Sequence, residues 1–222
     1  MEAVLKVGGS LAENYASLTN LCRELSVLAE AYRILIVPGG GEFADTVRKI
    51  DKVYGLSKTA AHKMAILTMD QYGFFLSDIT PNSIMCYDLD EASNSAKGKI
   101  AIFLPSQHMF REDPLEHSWD VTSDTITAYI ANQLDAKKLI LVTDVDGIFS
   151  EDPKKSLGSK LIQKVSAEEL EGWNRRTSVD KTLPKILLQS NLDCYVVNGR
   201  YPERIKLILD NKKTVCTQIT TI

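Results

Sequence analysis

Ala3-Val4-Leu5-Lys6-Val7-Gly8-Gly9-Ser10 is an apolar run broken by one lysine and stopped by two glycines. Its first five residues read as a buried strand, and the glycines turn the chain sharply out of it. The pattern recurs at Arg33–Val37, an apolar-centred run that ends in Pro38-Gly39-Gly40-Gly41 and gives way to helical spacing from Glu42. It recurs again at Lys138–Val142, which ends in Thr143-Asp144-Val145-Asp146-Gly147. Apolar strands that alternate with helices define an α/β fold with a mainly parallel sheet and helices on both faces. Ligands in such folds bind beyond the carboxyl ends of the strands, where these loops fall.

The remaining elements fill this frame. Helical spacing runs from about Asn14 to Tyr32 through Leu18, Leu21, Cys22, Leu25 and Leu28, over Glu42–Val53, and from Ser57 to about Leu76. Residues Ile79–Ser95 are irregular around a short apolar run at Ile84, and Lys99–Leu104 is a further strand ending at Pro105. Ser106–Trp119 shows no period and reads as a long loop, a form that is usually functional or mobile. Thr122 or Ser123 caps a helix that runs to Leu134. Gly147–Lys164 reads as a turn or hairpin excursion. Helices follow at Ala167–Trp173, Thr182–Asn191 and Pro202–Leu209, with strands at Cys194–Val197 and Thr214–Ile219. The expected organisation is one domain over 1–222, with an N-terminal lobe to about 135 and a C-terminal lobe beyond it.

Composition excludes several classes. The 222 residues and 44% hydrophobic content suit a folded domain with a sizeable core. The formal net charge of -3 is spread over interspersed acids and bases, with no basic run, so no nucleic acid is expected as a partner. No apolar segment approaches the ~18 residues of a spanning helix, and the N-terminus lacks the pattern of a leader. The four cysteines are far apart and in no metal-ligand spacing, which fits reduced thiols and a cytoplasmic location.

The loops carry chemistry. Lys6 beside the Gly8-Gly9-Ser10 backbone offers a cation and bare N–H groups to an anion. Gly39-Gly40-Gly41 allows close approach of a ligand to the start of a helix. Asp120 and Asp124 bracket a helix start and act either as caps or functionally, Asp124 orienting nearby lysines or binding Mg²⁺ and Asp120 meeting the substrate. Thr143, Asp144, Asp146 and Gly147 form either an ordinary turn or a nucleotide contact. Lys181 and Lys185 flank the start of a late helix, within reach of phosphates or on a solvated face. His62 lies on a helical pattern, and His108 and His117 in the irregular stretch. Trp119 suits either a flat substrate or the core. Such equipment holds a nucleotide and moves a phosphoryl group, yet no G-x-x-x-x-G-K-[ST] run is present.

Taken in order, Lys6-x-Gly8-Gly9-Ser10, Gly39-Gly40-Gly41, Ser123-Asp124-Thr125, Leu141–Ile148 and Asp152-Pro153 resemble the amino acid kinase superfamily over nearly the whole chain. The resemblance implies an open sheet of about eight strands, with ATP over the C-terminal half and the acceptor over the N-terminal half. It implies that Lys6 and Lys185 stabilise the transferring phosphoryl group and that Asp124 holds them. Gly8, Gly9, Gly40 and Gly41 would line the acceptor and phosphate path. Thr143, Asp144 and Gly147 would belong to the nucleotide site. ATP and Mg²⁺, a small-molecule substrate and a homo-oligomer follow from the same resemblance, with no membrane and no protein metal site.

Within the superfamily, His117–Ile126 and Ala61–Ile66 are similar to the branch that phosphorylates an aminomethylfuran-methyl phosphate in methanofuran biosynthesis. There Trp119, Asp120 and His62 would meet the acceptor. Uridylate kinase, or another kinase of the group, is the alternative. A non-catalytic binding or storage protein is a third. Two places depart from the common pattern. Asp180-Lys181-Thr182-Leu183-Pro184-Lys185 stands where glycines and a methionine are usual, which leaves Lys181 and Lys185 both open as the second lysine. Cys216-Thr217 replaces a common Gly-Thr.

Overall fold

A computed structural model describes residues 1–95, 98–153, 155–156, 158–173 and 177–221. The first half runs β1 (Ala3–Val7), α1 (Tyr15–Ala31), β2 (Ile34–Pro38), α2 (Gly41–Tyr54), α3 (Lys58–Ile79), β3 (Ser83–Cys86), α4 (Leu89–Ser93), β4 (Ile100–Phe103) and α5 (Ser106–Glu112). The second runs α6 (Ser123–Gln133), β5 (Lys138–Thr143), β6 (Ile148–Phe149), β7 (Leu161–Ile162), β8 (Lys164–Ser166), α7 (Ala167–Glu171), α8 (Leu183–Leu188), β9 (Asp193–Asn198), α9 (Glu203–Leu209) and β10 (Thr217–Thr220). A 3₁₀ turn over Gly9–Glu13 joins β1 to α1.

Eight strands form one sheet in the order β3-β4-β2-β1-β5-β9-β10-β8. Neighbours are parallel except β10 against β9. Sequence order reverses direction at β1, which lies between β2 and β5. This is the switch point at which open α/β sheets leave a crevice. Register brings the loops to one level there: Val7 pairs with Pro38 on one side and Val142 on the other. The Gly8 N–H donates to the Val142 carbonyl at 2.9 Å, and the Gly39 N–H to the Val7 carbonyl at 2.8 Å. Thus the three loops singled out in the sequence leave the sheet side by side.

Alternation along the strands sorts the core into two layers. Val4, Leu35, Val37, Leu139 and Leu141 pack under Ile66, Met69, Ile126 and Ile130. Ala3, Leu5, Val7, Ile36, Ile140 and Val142 face Leu18, Leu21, Leu25 and Ile205. Lys6 therefore shares the face of Val4, under α6. None of the described helices is long and apolar enough to cross a membrane.

Three elements differ from the sequence reading. Ser106–Trp119 is not a structureless loop, because its first half is α5. The reason is remote: Asp70 on α3 accepts from the Ser106 N–H at 3.1 Å and from the Ser106 hydroxyl. The irregular stretch 79–95 contains α4. Asp88 caps it, accepting from Glu91 N–H at 2.8 Å, while Glu91 accepts from Tyr87 N–H at 2.8 Å. Asp88 is thus an ordinary N-cap, and Glu91 reaches back one residue beyond it. The Gly147–Lys164 excursion contains the antiparallel β6–β7 pair, as expected, but β8 follows it and adds an edge to the main sheet.

Candidate active site

Lys6 lies one residue before the end of β1. Its Nζ is 2.8 Å from Asp124 Oδ1, and the two side chains are 12% and 7% exposed. An ammonium this buried needs a counter-charge. Asp124 supplies it from the first turn of α6. The other Asp124 oxygen accepts the Asp180 N–H at 3.2 Å.

Beside this pair, two loops cross at glycines. A Cβ on Gly9 would fall 2.1 Å from Gly41 Cα, and Gly41 sits at φ +54. Neither position admits a side chain without moving backbone. The 3₁₀ turn and α2 both begin at this crossing, so their first N–H groups lack intrahelical acceptors. Two helix starts and one ammonium converge there, which suits an anion.

The crossing floors a cavity of about 310 Å³, lined by Lys6, Gly8, Gly9, Ser10, Gly40, Gly41, Met69 and Trp119 among others. A second cleft of about 330 Å³ is lined by Thr143, Asp144, Gly147, Asp152 and Pro153. Thr143 and Ser178 line both, so the two spaces are neighbours that share this wall, and Lys6 lines the first. Ser10 Oγ donates to Asp144 Oδ1 at 3.1 Å, which ties the first glycine loop to the β5 loop.

The expected site residues do not all gather. Gly39 lies beneath the cavity, closed onto Val7. Asp146 turns away from the cleft: it accepts from Asn198 Nδ2 at 3.0 Å and pairs with Arg204 at 2.7 Å, bracing its loop to β9 and α9. Asp120 is exposed and lines a neighbouring cavity with Arg48 and Lys181. Lys181 Nζ stands 3.7 Å from Asp120 Oδ1. Lys185 is exposed on α8 and lines neither the cavity nor the cleft. Trp119 does line the cavity. Its indole N–H donates to Asp51 at 2.7 Å, and the Arg48 guanidinium lies over its ring at 4.8 Å.

Sequence reasoning missed Arg48 and Asp180. Arg48 was readable, since Gly41, Asp45 and Arg48 recur at helical spacing on one face of α2 and all line the cavity. Glu13, Glu42 and Asp45 add carboxylates to its lining. For Asp180 only the cap of Leu183 N–H, three residues on, is local; its Thr122 and Thr125 partners lie more than 50 residues away. Burial, and then the charge of Asp124, push its carboxyl above the usual range, against the hydrogen bonds of Thr125 and Thr122.

His62 is buried, lines the cavity and stacks on His117 at 4.6 Å. His117 is held between Thr59 at 2.9 Å and Asp113 at 2.8 Å. Burial, and then the charge of His117, lower the His62 pKa below its ordinary 6.5. Burial and Arg111 do the same for His108. The unfolded chain then binds these protons more readily than the folded one. Stability is expected to fall as pH drops through 6.5 and to level off below the folded values. Urea melts of the parent and of His62→Gln at pH 7 and pH 5 check this. The variant should show the smaller loss, and an equal loss in both would count against it.

The amino acid kinase family profile matches residues 1–198. Over 221 residues the chain is 41% identical to the [5-(aminomethyl)furan-3-yl]methyl phosphate kinase of Methanocaldococcus jannaschii, covering 99% of this chain and 98% of that one. It is 28% identical over 232 residues to a uridylate kinase of Sulfurisphaera tokodaii, covering 95% and 94%. The crystal structure of uridylate kinase from Archaeoglobus fulgidus superposes with a TM-score of 0.77 over 99% of this chain and 100% of that chain, at 22% identity, a likeness of fold. With the profile spanning most of its length and the sheet and glycine crossing in place, this chain belongs to the amino acid kinase family.

Proposed function

We propose that this chain transfers the γ-phosphoryl group of ATP to the phosphate of [5-(aminomethyl)furan-3-yl]methyl phosphate, giving the diphosphate. The observation that carries this is the buried Lys6–Asp124 pair, whose lysine lines an acceptor-sized cavity that shares Thr143 and Ser178 with a second cleft. The 41% identical relative supplies the acceptor.

The acceptor phosphate rests on the Gly9–Gly41 crossing, beside the Lys6 ammonium. The furan ring lies against Trp119 and Met69. Its ammonium takes its counter-charge from Glu13, Glu42 and Asp45, which line the cavity, rather than from Asp120, which does not. ATP occupies the cleft beside Thr143 and Asp144. An oxygen of the acceptor phosphate bonds to the γ-phosphorus as the bond to the β-bridging oxygen breaks and ADP leaves. A phosphate monoester is largely deprotonated at neutral pH, its second pKa being about 6, so the step requires no side-chain base. What it requires is fixed positive charge where the transferring oxygens gather, and Lys6 provides it.

Among the described residues no group of three or more His, Cys, Asp or Glu side chains could hold a metal ion. Mg²⁺ commonly binds through substrate phosphates, waters and one or two carboxylates. Asp144 suits that role for Mg²⁺ arriving with ATP. Three buried thiols and one half-buried one, all free, fit a reducing cytoplasm.

Of the two late lysines, Lys185 takes the second transfer role, because it lies in the first turn of a helix anchored to Asp124 through Asp180. Lys181 is occupied by an exposed pair with Asp120. Lys185→Ala is expected to lower kcat about 10²-fold and Lys181→Ala less than about fivefold. The reverse order would exchange their roles.

A coupled ADP-release assay with Mg·ATP tests the acceptor against UMP, isopentenyl phosphate, acetylglutamate and aspartate. The proposal expects the furan phosphate to give the highest kcat/KM. A higher value for UMP would make the chain a uridylate kinase. ATP binding without turnover on any acceptor would point to a binding protein.

A further inference from the structure

Asp180 makes more hydrogen bonds than any group at the site, yet lines neither the acceptor cavity nor the nucleotide cleft. Its Oδ2 accepts from Thr122 N–H and Thr122 Oγ1, both at 2.9 Å, and from Thr125 N–H at 3.0 Å. Its Oδ1 accepts from Thr125 Oγ1 at 2.6 Å and from Leu183 N–H at 2.9 Å. Five donors saturate a carboxylate, which offers about four lone-pair sites.

These donors belong to two helix starts. Thr122 precedes α6 and Thr182 precedes α8, the positions from which a threonine side chain normally caps its own helix. Neither does so. The Thr182 hydroxyl instead donates to the Asp120 carbonyl at 3.0 Å. One carboxylate therefore caps both helices. Its own N–H donates to Asp124, whose other oxygen holds Lys6. A continuous chain runs from Lys6 through Asp124 and Asp180 to the first turn of α8.

We propose that Asp180 is a positioning residue for phosphoryl transfer: it locks the start of α6, which carries Asp124, to the start of α8, which carries Lys185. It touches neither substrate. It fixes the spacing between the Lys6–Asp124 pair and the start of α8, the short helix that carries Lys185. The inference rests on the phosphotransferase reading above. The physical logic is that small misplacements of transfer groups are costly even when binding is intact.

The test compares Asp180→Asn, which presents an N–H₂ group to crowded donors, with Thr125→Val, which removes a single hydroxyl donor. Asp180→Asn is expected to lower kcat about 10- to 100-fold while changing KM for ATP and acceptor less than threefold. A role in stability alone would lower the melting temperature and leave kcat at 25 °C unchanged, which overturns the proposal. A rise in KM with unchanged kcat also overturns it. Amide hydrogen exchange tests the lock without any acceptor. Thr125→Val, made on α6, should speed exchange at the Leu183 amide on α8. Unchanged exchange there overturns the lock whatever the kinetics show. If the wild-type chain fails to phosphorylate the furan phosphate, the acceptor assignment falls, and the exchange result alone decides for or against Asp180.

Discussion

Lys6→Ala is expected to lower kcat by about 10³-fold, roughly 4 kcal/mol of transition-state stabilisation. Lys6 lines the cavity that neighbours the cleft, so its loss removes the charge that the transferring oxygens need. KM for either substrate should change much less than kcat, because the interaction tightens as charge develops. The same change strands Asp124, a carboxylate whose side chain is only 7% exposed. Leaving a buried charge unpaired costs about 3–5 kcal/mol of stability. The two effects separate in the double variant Lys6→Met with Asp124→Asn. It should regain much of the stability and none of the turnover. Full turnover by a folded Lys6→Ala would remove Lys6 from the mechanism.

Gly9→Ala is the second large effect. Its Cβ would fall 2.1 Å from Gly41 Cα and 2.2 Å from Gly41 N, against backbone that no rotamer can clear. The two loops must separate, at about 3 kcal/mol or more. For a chain of this size that corresponds to a fall of roughly 6–12 °C in Tm. Turnover should fall at least about 10²-fold, since the crossing presents the N–H groups to the acceptor phosphate. Gly158→Ala is the control, because a Cβ there meets nothing within 4 Å. It should melt with the parent. A Gly9→Ala chain that melts with the parent and turns over normally would show that the crossing is not needed.

Both effects concern residues that the sequence displays, and for a common reason. Lys6 interrupts an apolar strand, and the glycines stop strands, so each departs from a local pattern. Parallel strands of β1, β2 and β5 were legible because burial on both faces leaves nearly unbroken apolar runs. What escaped is held by remote partners. The α5 helix begins at Ser106 because Asp70 caps it from α3. Asp180 works through Thr122 and Thr125, and no spacing along the chain joins them. Asp146 reads as a strand-end carboxylate like Asp144, but Arg204 and Asn198 draw it away from the cleft. Asp120 sits next to Trp119 in sequence, but only Trp119 reaches the acceptor cavity, and Asp120 lines the neighbouring one beside it. Side-chain direction after a loop depends on what packs against it. The α4 helix is the exception, since its Asp88 cap and Glu91 were present locally.

The most direct test is ³¹P NMR of the purified chain with Mg·ATP and [5-(aminomethyl)furan-3-yl]methyl phosphate, run beside Lys6→Ala. The account predicts loss of the monoester signal, growth of two coupled resonances of an organic diphosphate, and ADP in equal amount, all absent with Lys6→Ala. Orthophosphate with an unchanged monoester, or diphosphate formed equally well by Lys6→Ala, would contradict it.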